Sequence, residues 1–149
     1  MGPAVGRVDL FETPGPAPRR KVDRGEQRVH IACVDYLRRC VPAPPEGPYW
    51  FHPYNGGWRT KREAALGRAL GVRAGVPDLV LIWRGHAIGA EFKRPKGAGS
   101  RAGRLSREQR EAHAELVLAG AVCGEVRSLA DFVSLLEMLG VPVRGRVTA

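Results

Sequence analysis

The stretch Asp78–Lys93, DLVLIWRGHAIGAEFK, decides the fold. Asp78–Trp83 is a mostly apolar run of strand length, Arg84-Gly85 has the chemistry of a tight turn, and His86–Lys93 reads as the next strand. A two-residue turn joins strands antiparallel. Trp83 then faces His86, and the same register sets Asp78 opposite Glu91. Residues directly opposite each other share a face of the sheet. Along one strand i and i+2 also share a face. Glu91 and Lys93 therefore point one way, while Ile88, Ala90 and Phe92 point the other. Two carboxylates and an ammonium converge on one patch.

Helical periodicity surrounds this hairpin. Val29, Ala32, Cys33, Tyr36 and Leu37 form an apolar stripe, which predicts a helix over about 25–40. VPAPPEGP then breaks the chain, and Tyr49–His52 reads as a short strand ended by Pro53 and the Gly56-Gly57 turn. Thr60 with Glu63 three residues on is a capping box, opening a second helix that Gly71 ends. Ser106 opens a third helix to about Leu118, Ala121–Val126 is a fourth strand, and Ser128 caps a last helix that carries Leu129, Phe132, Val133, Leu136 and Leu139 and stops at Gly140. The order is α-β-α-β-β-α-β-α. One small mixed sheet flanked by helices, an α/β domain, is the simplest packing.

The 149 residues suffice for one domain. We place it at 23–142, after a Pro- and Gly-rich flexible tail over 1–22 and before a basic C-terminal tail over 143–149. With 44% hydrophobic and 26% charged residues, whole-chain disorder is excluded. Twenty-four Lys and Arg against 15 Asp and Glu leave a net charge of +9. Such an excess suits a polyanionic partner, or else a basic surface kept for solubility. No apolar run approaches the length of a membrane helix, and the first residues lack the apolar stretch of a signal peptide. Three cysteines, Cys33, Cys40 and Cys123, neither pair evenly nor form C-x-x-C, which fits a reducing cytoplasm. His30 and Cys33 have ligand spacing but no second pair to complete a zinc site.

The Asp78–Glu91–Lys93 patch has a chemical use. Mg2+ takes hard oxygen ligands and keeps several waters. Asp78 and Glu91 offer two oxygens, and the Ala90 or Phe92 carbonyl a further one. Lys93 then holds the attacking water or meets the charge that builds on phosphorus. The plainer alternative is a solvent-facing Glu–Lys pair and a turn aspartate. Glu26 extends the stripe of the first helix and should face the sheet, either to reach the site or as a first-turn acid favoured by the helix dipole. Gln109 lies on the stripe of Ala112, His113 and Leu116. It also completes a capping box with Ser106.

Basic residues cluster in two places. From Lys93 to Arg110 seven stand against one acid, among them Arg94, Lys96, Arg101, Arg104 and Arg107, and glycines in this loop let it follow a backbone. Arg59, Lys61 and Arg62 form the second cluster. Both suit phosphate contacts that carry no sequence information, or a solvated loop. No base-reading motif is present. His30, His52, His86 and His113 lack a nucleophile motif nearby and read as structural or surface residues. Asn55, before Gly56-Gly57, reads as a turn residue.

Taken together, Glu26, HPYNGGWRTKREAALGRALGVRAGVPD, GAEFK and LSREQREAHAELVLAG resemble the VRR-NUC family of the PD-(D/E)xK nuclease superfamily. The resemblance runs from about Glu26 to Val126. It implies a restriction-endonuclease-like core and hydrolysis of DNA with Mg2+ or Mn2+. It implies that Asp78 and Glu91 are metal ligands, that Lys93 is the catalytic lysine, that Glu26 and Gln109 complete the site, and that Asn55 lies near it. The loop 94–105 is richer in glycine and arginine than the family pattern requires. The resemblance also points to minimal nucleases that pair as homodimers, which suits a branched substrate such as a four-way (Holliday) junction or a flap. A non-catalytic nucleic-acid-binding module, or a nuclease directed at RNA, is the alternative.

Overall fold

A computed structural model describes residues 23–53, 60–97 and 101–144. The chain divides into two compact units. The smaller contributes 60–72 to the described residues, and the larger contributes the rest. The flexible tail read over 1–22, residues 145–149 of the basic tail, Asn55 and Arg59 lie outside the described residues.

The larger unit is built on one four-stranded sheet, β1 (Tyr49–Phe51), β2 (Leu79–Trp83), β3 (His86–Phe92) and β4 (Val122–Val126), in that spatial order. β1 and β2, and β2 and β3, are antiparallel, and β3 and β4 are parallel. The sheet is mixed, as the sequence predicts. Arg84 (φ 48°) and Gly85 (φ 79°) both take the left-handed region, the geometry of a type I′ hairpin turn. That turn fixes the register, with Trp83 opposite His86 and Leu79 opposite Ala90.

Helices cover both faces. α1 (Arg24–Cys40) and α4 (Leu129–Met138) lie on the face that carries Leu79, Leu81, Ile88, Ala90 and Phe92, and their Cys33, Leu37, Phe132 and Leu136 complete the core. α3 (Arg107–Leu118) packs against β4, and its Gln109 reaches the opposite face, where Glu91 and Lys93 stand. Caps set these helices. The Ser106–Gln109 box and Ser128, which accepts from the Asp131 amide, are those the sequence predicts, while Asp23, which accepts from the Gly25 and Glu26 amides, is a cap that the stripe of the first helix did not single out. Val143 and Arg144, where the basic tail begins, are held. Val143 packs on the core, the Arg144 amide donates to the Cys40 carbonyl at 2.5 Å, and the Arg144 guanidinium pairs with Glu46.

The smaller unit holds α2 (Lys61–Ala69), opened by the Thr60–Glu63 capping box and ended before Gly71 at φ 88°. Among the described residues, no helix is long and apolar enough to cross a membrane.

Candidate active site

Asp78 directly precedes β2, Glu91 stands near the end of β3, and Lys93 directly follows β3. The observed register places Asp78 opposite Glu91, since Leu79 pairs with Ala90 one step away. The chain reaches Asp78 through Gly75-Val76-Pro77, and Gly75 and Pro77 each have a packing reason. Gly75 has φ 79°, and a Cβ there would stand 2.3 Å from the Glu108 carbonyl oxygen, so only glycine lets this segment lie against the start of α3. Pro77 is buried against Gly89 of β3, where a Cβ would meet the proline ring at 2.5 Å. Asp78 is then fixed from both sides of its own peptide. Its Oδ2 accepts from the Phe92 amide at 2.9 Å, and its main-chain carbonyl accepts from His52 Nδ1.

Glu91 is 1% exposed and Lys93 5%. A buried charge needs a partner. Lys93 Nζ donates to Glu91 Oε1 at 2.9 Å and to Gln109 Oε1 at 3.0 Å, and Gln109 Nε2 donates to the same Glu91 oxygen. Burial, and then the neighbouring Asp78 charge, push the Glu91 carboxyl up to about 7 against the opposing pull of Lys93. Glu91 Oε2 is buried and makes no hydrogen bond.

Gln109 plays both parts that its position allows. Its Oε1 also accepts from the Ser106 amide at 2.9 Å, so it closes the capping box and holds Lys93 at once. Four residues on, His113 is buried with its Nε2 3.8 Å from Glu91 Oε2. Burial lowers its pKa, with Lys93 acting the same way and Glu125 and Asp78 opposing. On sequence alone His113 reads as a structural or surface residue. The available signal was its place one helical turn from Gln109 on the same stripe.

Glu26 is half-buried and turned inward, as its stripe predicts. Its Oε1 and the Lys93 Cβ both border Gly103, at 3.1 and 3.6 Å from where a Cβ would stand. It does not join the two strand carboxylates in a shared cluster. Among the described residues, no three carboxylate, imidazole or thiol groups are placed to share one cation. Glu26 sits in the first turn of α1, whose cap residue Asp23 pairs with Arg94 at 3.3 Å. The donor set that does assemble is two carboxylates, one of them with an unpartnered buried oxygen. Hard oxygen donors of this kind fit a divalent cation that keeps most of its waters.

The basic residues divide. Arg94 is committed to structure: it donates to the Arg101 carbonyl at 3.1 and 2.7 Å and pairs with Asp23. Arg107 pairs with Glu111 at 2.8 Å on the exposed side of α3. Lys96, Arg101 and Arg104 are exposed, beyond the end of β3 that carries the site. Lys61 and Arg62 are exposed on α2 in the smaller unit. Arg127, which sequence reasoning did not single out, donates to the Arg94 and Gly103 carbonyls at 3.2 and 2.8 Å and pairs with Glu125. It clamps the base of the basic loop.

A solved structure described as a VRR_NUC domain protein superposes with a TM-score of 0.56 at 20% sequence identity, covering 75% of this chain and 84% of the other. The two chains share a fold. That fold is α/β, a four-stranded mixed sheet with helices on both faces, consistent with a small restriction-endonuclease-like core. No family model and no curated protein matches the sequence.

Proposed function

We propose that this protein is a divalent-metal-dependent DNA endonuclease that hydrolyses phosphodiester bonds. The observation that carries the reading is the meeting of Asp78, Glu91 and Lys93 on one sheet face, with the ammonium held by Glu91 and Gln109. The name of the structural neighbour points to the same chemistry.

In this reading Asp78 and Glu91 hold Mg2+ or Mn2+, and Glu26 stands outside that pair as an acid on the Lys93 side. When bound, the cation polarises the scissile phosphate and lowers the pKa of a water. Gln109 keeps Lys93 extended over the carboxylates, so its ammonium can orient the attacking water or meet the charge that develops on phosphorus. Asp78 is held by the Phe92 amide and His52, which fixes one carboxylate before any substrate arrives. Asn55, Arg59, Lys61, Arg62, Lys96, Arg101, Arg104 and Arg107 contact phosphates, while Arg94 shapes the loop that presents them. A homodimer with two sites suits a branched substrate, a four-way junction or a flap.

The test is cleavage of labelled single strand, duplex, flap and four-way junction by wild type and Lys93→Ala, with Mg2+, Mn2+ or EDTA. Metal-dependent cutting by wild type and loss in the variant is the expected result, and the panel names the substrate. Binding in low salt without cutting by either protein overturns the proposal and leaves a nucleic-acid-binding module. Sedimentation of the wild type at micromolar concentration tests the homodimer.

A further inference from the structure

α3 presents two side chains to one carboxylate. Gln109 and His113 are four residues apart on the helix, so they lie one above the other on the same face. Gln109 serves Glu91 Oε1, and His113 Nε2 stands before Glu91 Oε2. Ala112, between them in sequence, is buried.

Both facing atoms are buried, and neither has a hydrogen-bond partner. At 3.8 Å they are too far apart for a hydrogen bond, whose heavy atoms stand about 2.7–3.2 Å apart. Leaving two such atoms unpaired costs about 1–3 kcal/mol each. An approach of about 0.6–1.1 Å along that line would make the hydrogen bond, with Nε2–H donating to Oε2. Packing alone would be served at this position by any apolar side chain of similar size. The placement of a ring nitrogen against the second oxygen is what packing does not explain.

We propose that His113 is a positioning residue for Glu91, holding Oε2 in the orientation that a divalent cation needs. The inference rests on the metal-dependent reading above and deepens it. A carboxylate that binds a metal is usually oriented by a hydrogen bond from behind, and loss of such a partner typically weakens metal binding about 10–100-fold. Oε1 already has two donors, so the freedom that remains in Glu91 is the direction of Oε2. A carboxylate oxygen has lone pairs for a donor and a cation together, so a hydrogen bond from His113 orients the ligand without displacing the ion.

The experiment is calorimetric titration of the full chain with Mn2+ alone, for wild type, Glu91→Gln, His113→Gln, His113→Leu and His113→Phe, with circular dichroism to confirm folding. The expected result is uptake by wild type, loss in Glu91→Gln, and about 10–100-fold weaker binding in the Leu and Phe variants. His113→Gln, which keeps an N–H donor, should bind within a few-fold of wild type. Wild-type affinity in His113→Leu or His113→Phe overturns the positioning role and leaves the metal reading intact. Equal weakening in all three His113 variants also overturns it, because the site then needs the ring's shape and not its donor. No uptake by wild type removes the metal reading and this inference with it. If His113→Leu fails to fold, the comparison of Phe with Gln decides.

Discussion

The side-chain oxygen of Gln109 accepts from Lys93 Nζ at 3.0 Å and from the Ser106 amide at 2.9 Å. One atom thus ties the start of α3 to the ammonium of the site. Stability and activity are coupled at Gln109 and separable at Ser106. Ser106→Ala removes the other half of the capping box and should cost about 1 kcal/mol in urea unfolding while cleavage stays within a few-fold of wild type. Gln109→Ala should cost at least as much stability and lower the cleavage rate by a further factor of ten or more, because Lys93 then loses one of its two anchors.

Lys93→Met keeps the aliphatic volume and removes the charge. It leaves Glu91 buried beside Asp78 with no cation to offset either, so the Glu91 carboxyl should move further above about 7. Removing one partner of a buried pair costs about 3–5 kcal/mol when the other stays charged. Because Glu91 can take up a proton, the measured loss should be smaller at pH 5 than at pH 8. Unfolding at the two pH values checks this. Cleavage under single-turnover conditions should fall on the order of 10³-fold.

The pH dependence of the metal-free protein follows from Glu91. Its carboxyl is raised from an ordinary 4.5 to about 7 in the folded chain. The folded state therefore holds this proton more tightly than the unfolded state does. Its contribution to stability is complete below pH 4.5 and is lost as pH rises through about 7. Glu91→Gln should flatten the unfolding free energy over that window. Divalent cation added at pH 8 should recover stability in wild type and not in Glu91→Gln, because a ligand that binds only the folded state stabilises it.

Gly89→Ala tests the support behind Asp78. The new methyl would lie 2.5 Å from Pro77 Cγ and 3.3 Å from Cys123 Sγ, and the proline ring has little freedom to yield. We expect a loss of about 1–3 kcal/mol. We also expect a fall in cleavage that Gly85→Ala, at the far end of the hairpin, does not share.

Much of this arrangement was legible because it rests on short-range rules. A two-residue turn fixes a register, and the register alone brought Asp78 to Glu91. Helical spacing and a capping box singled out Gln109, whose dual role the two rules foretold separately. What stayed hidden depends on where a side chain finds its partner. His113 shares its stripe with Gln109, but nothing local says that a buried ring nitrogen will face a carboxylate and not a carbonyl. Glu26 faces inward as its stripe requires, yet the neighbour it finds there, Gly103 beside the Lys93 Cβ, lies far along the chain. Arg94 reads as one more loop cation, and only the folded loop shows its guanidinium spent on the Arg101 carbonyl. Arg127 escaped because its work, holding two carbonyls, leaves no pattern in the residues around it.

The Arg84-Gly85 turn also has a genetic consequence. Asp78 lies as many residues before Arg84 as Glu91 lies after Gly85, so the hairpin works as a ruler with the turn at its midpoint. A codon gained or lost in one arm alone would change the count on one side. The apolar residues of the two arms can still find a pairing, but the acids would then face different neighbours or opposite sides of the sheet. Substitutions in this hairpin should therefore be graded in effect, whereas single-residue insertions and deletions should be all-or-none for cleavage. Those that still fold would be ready-made inactive competitors of the wild-type protein.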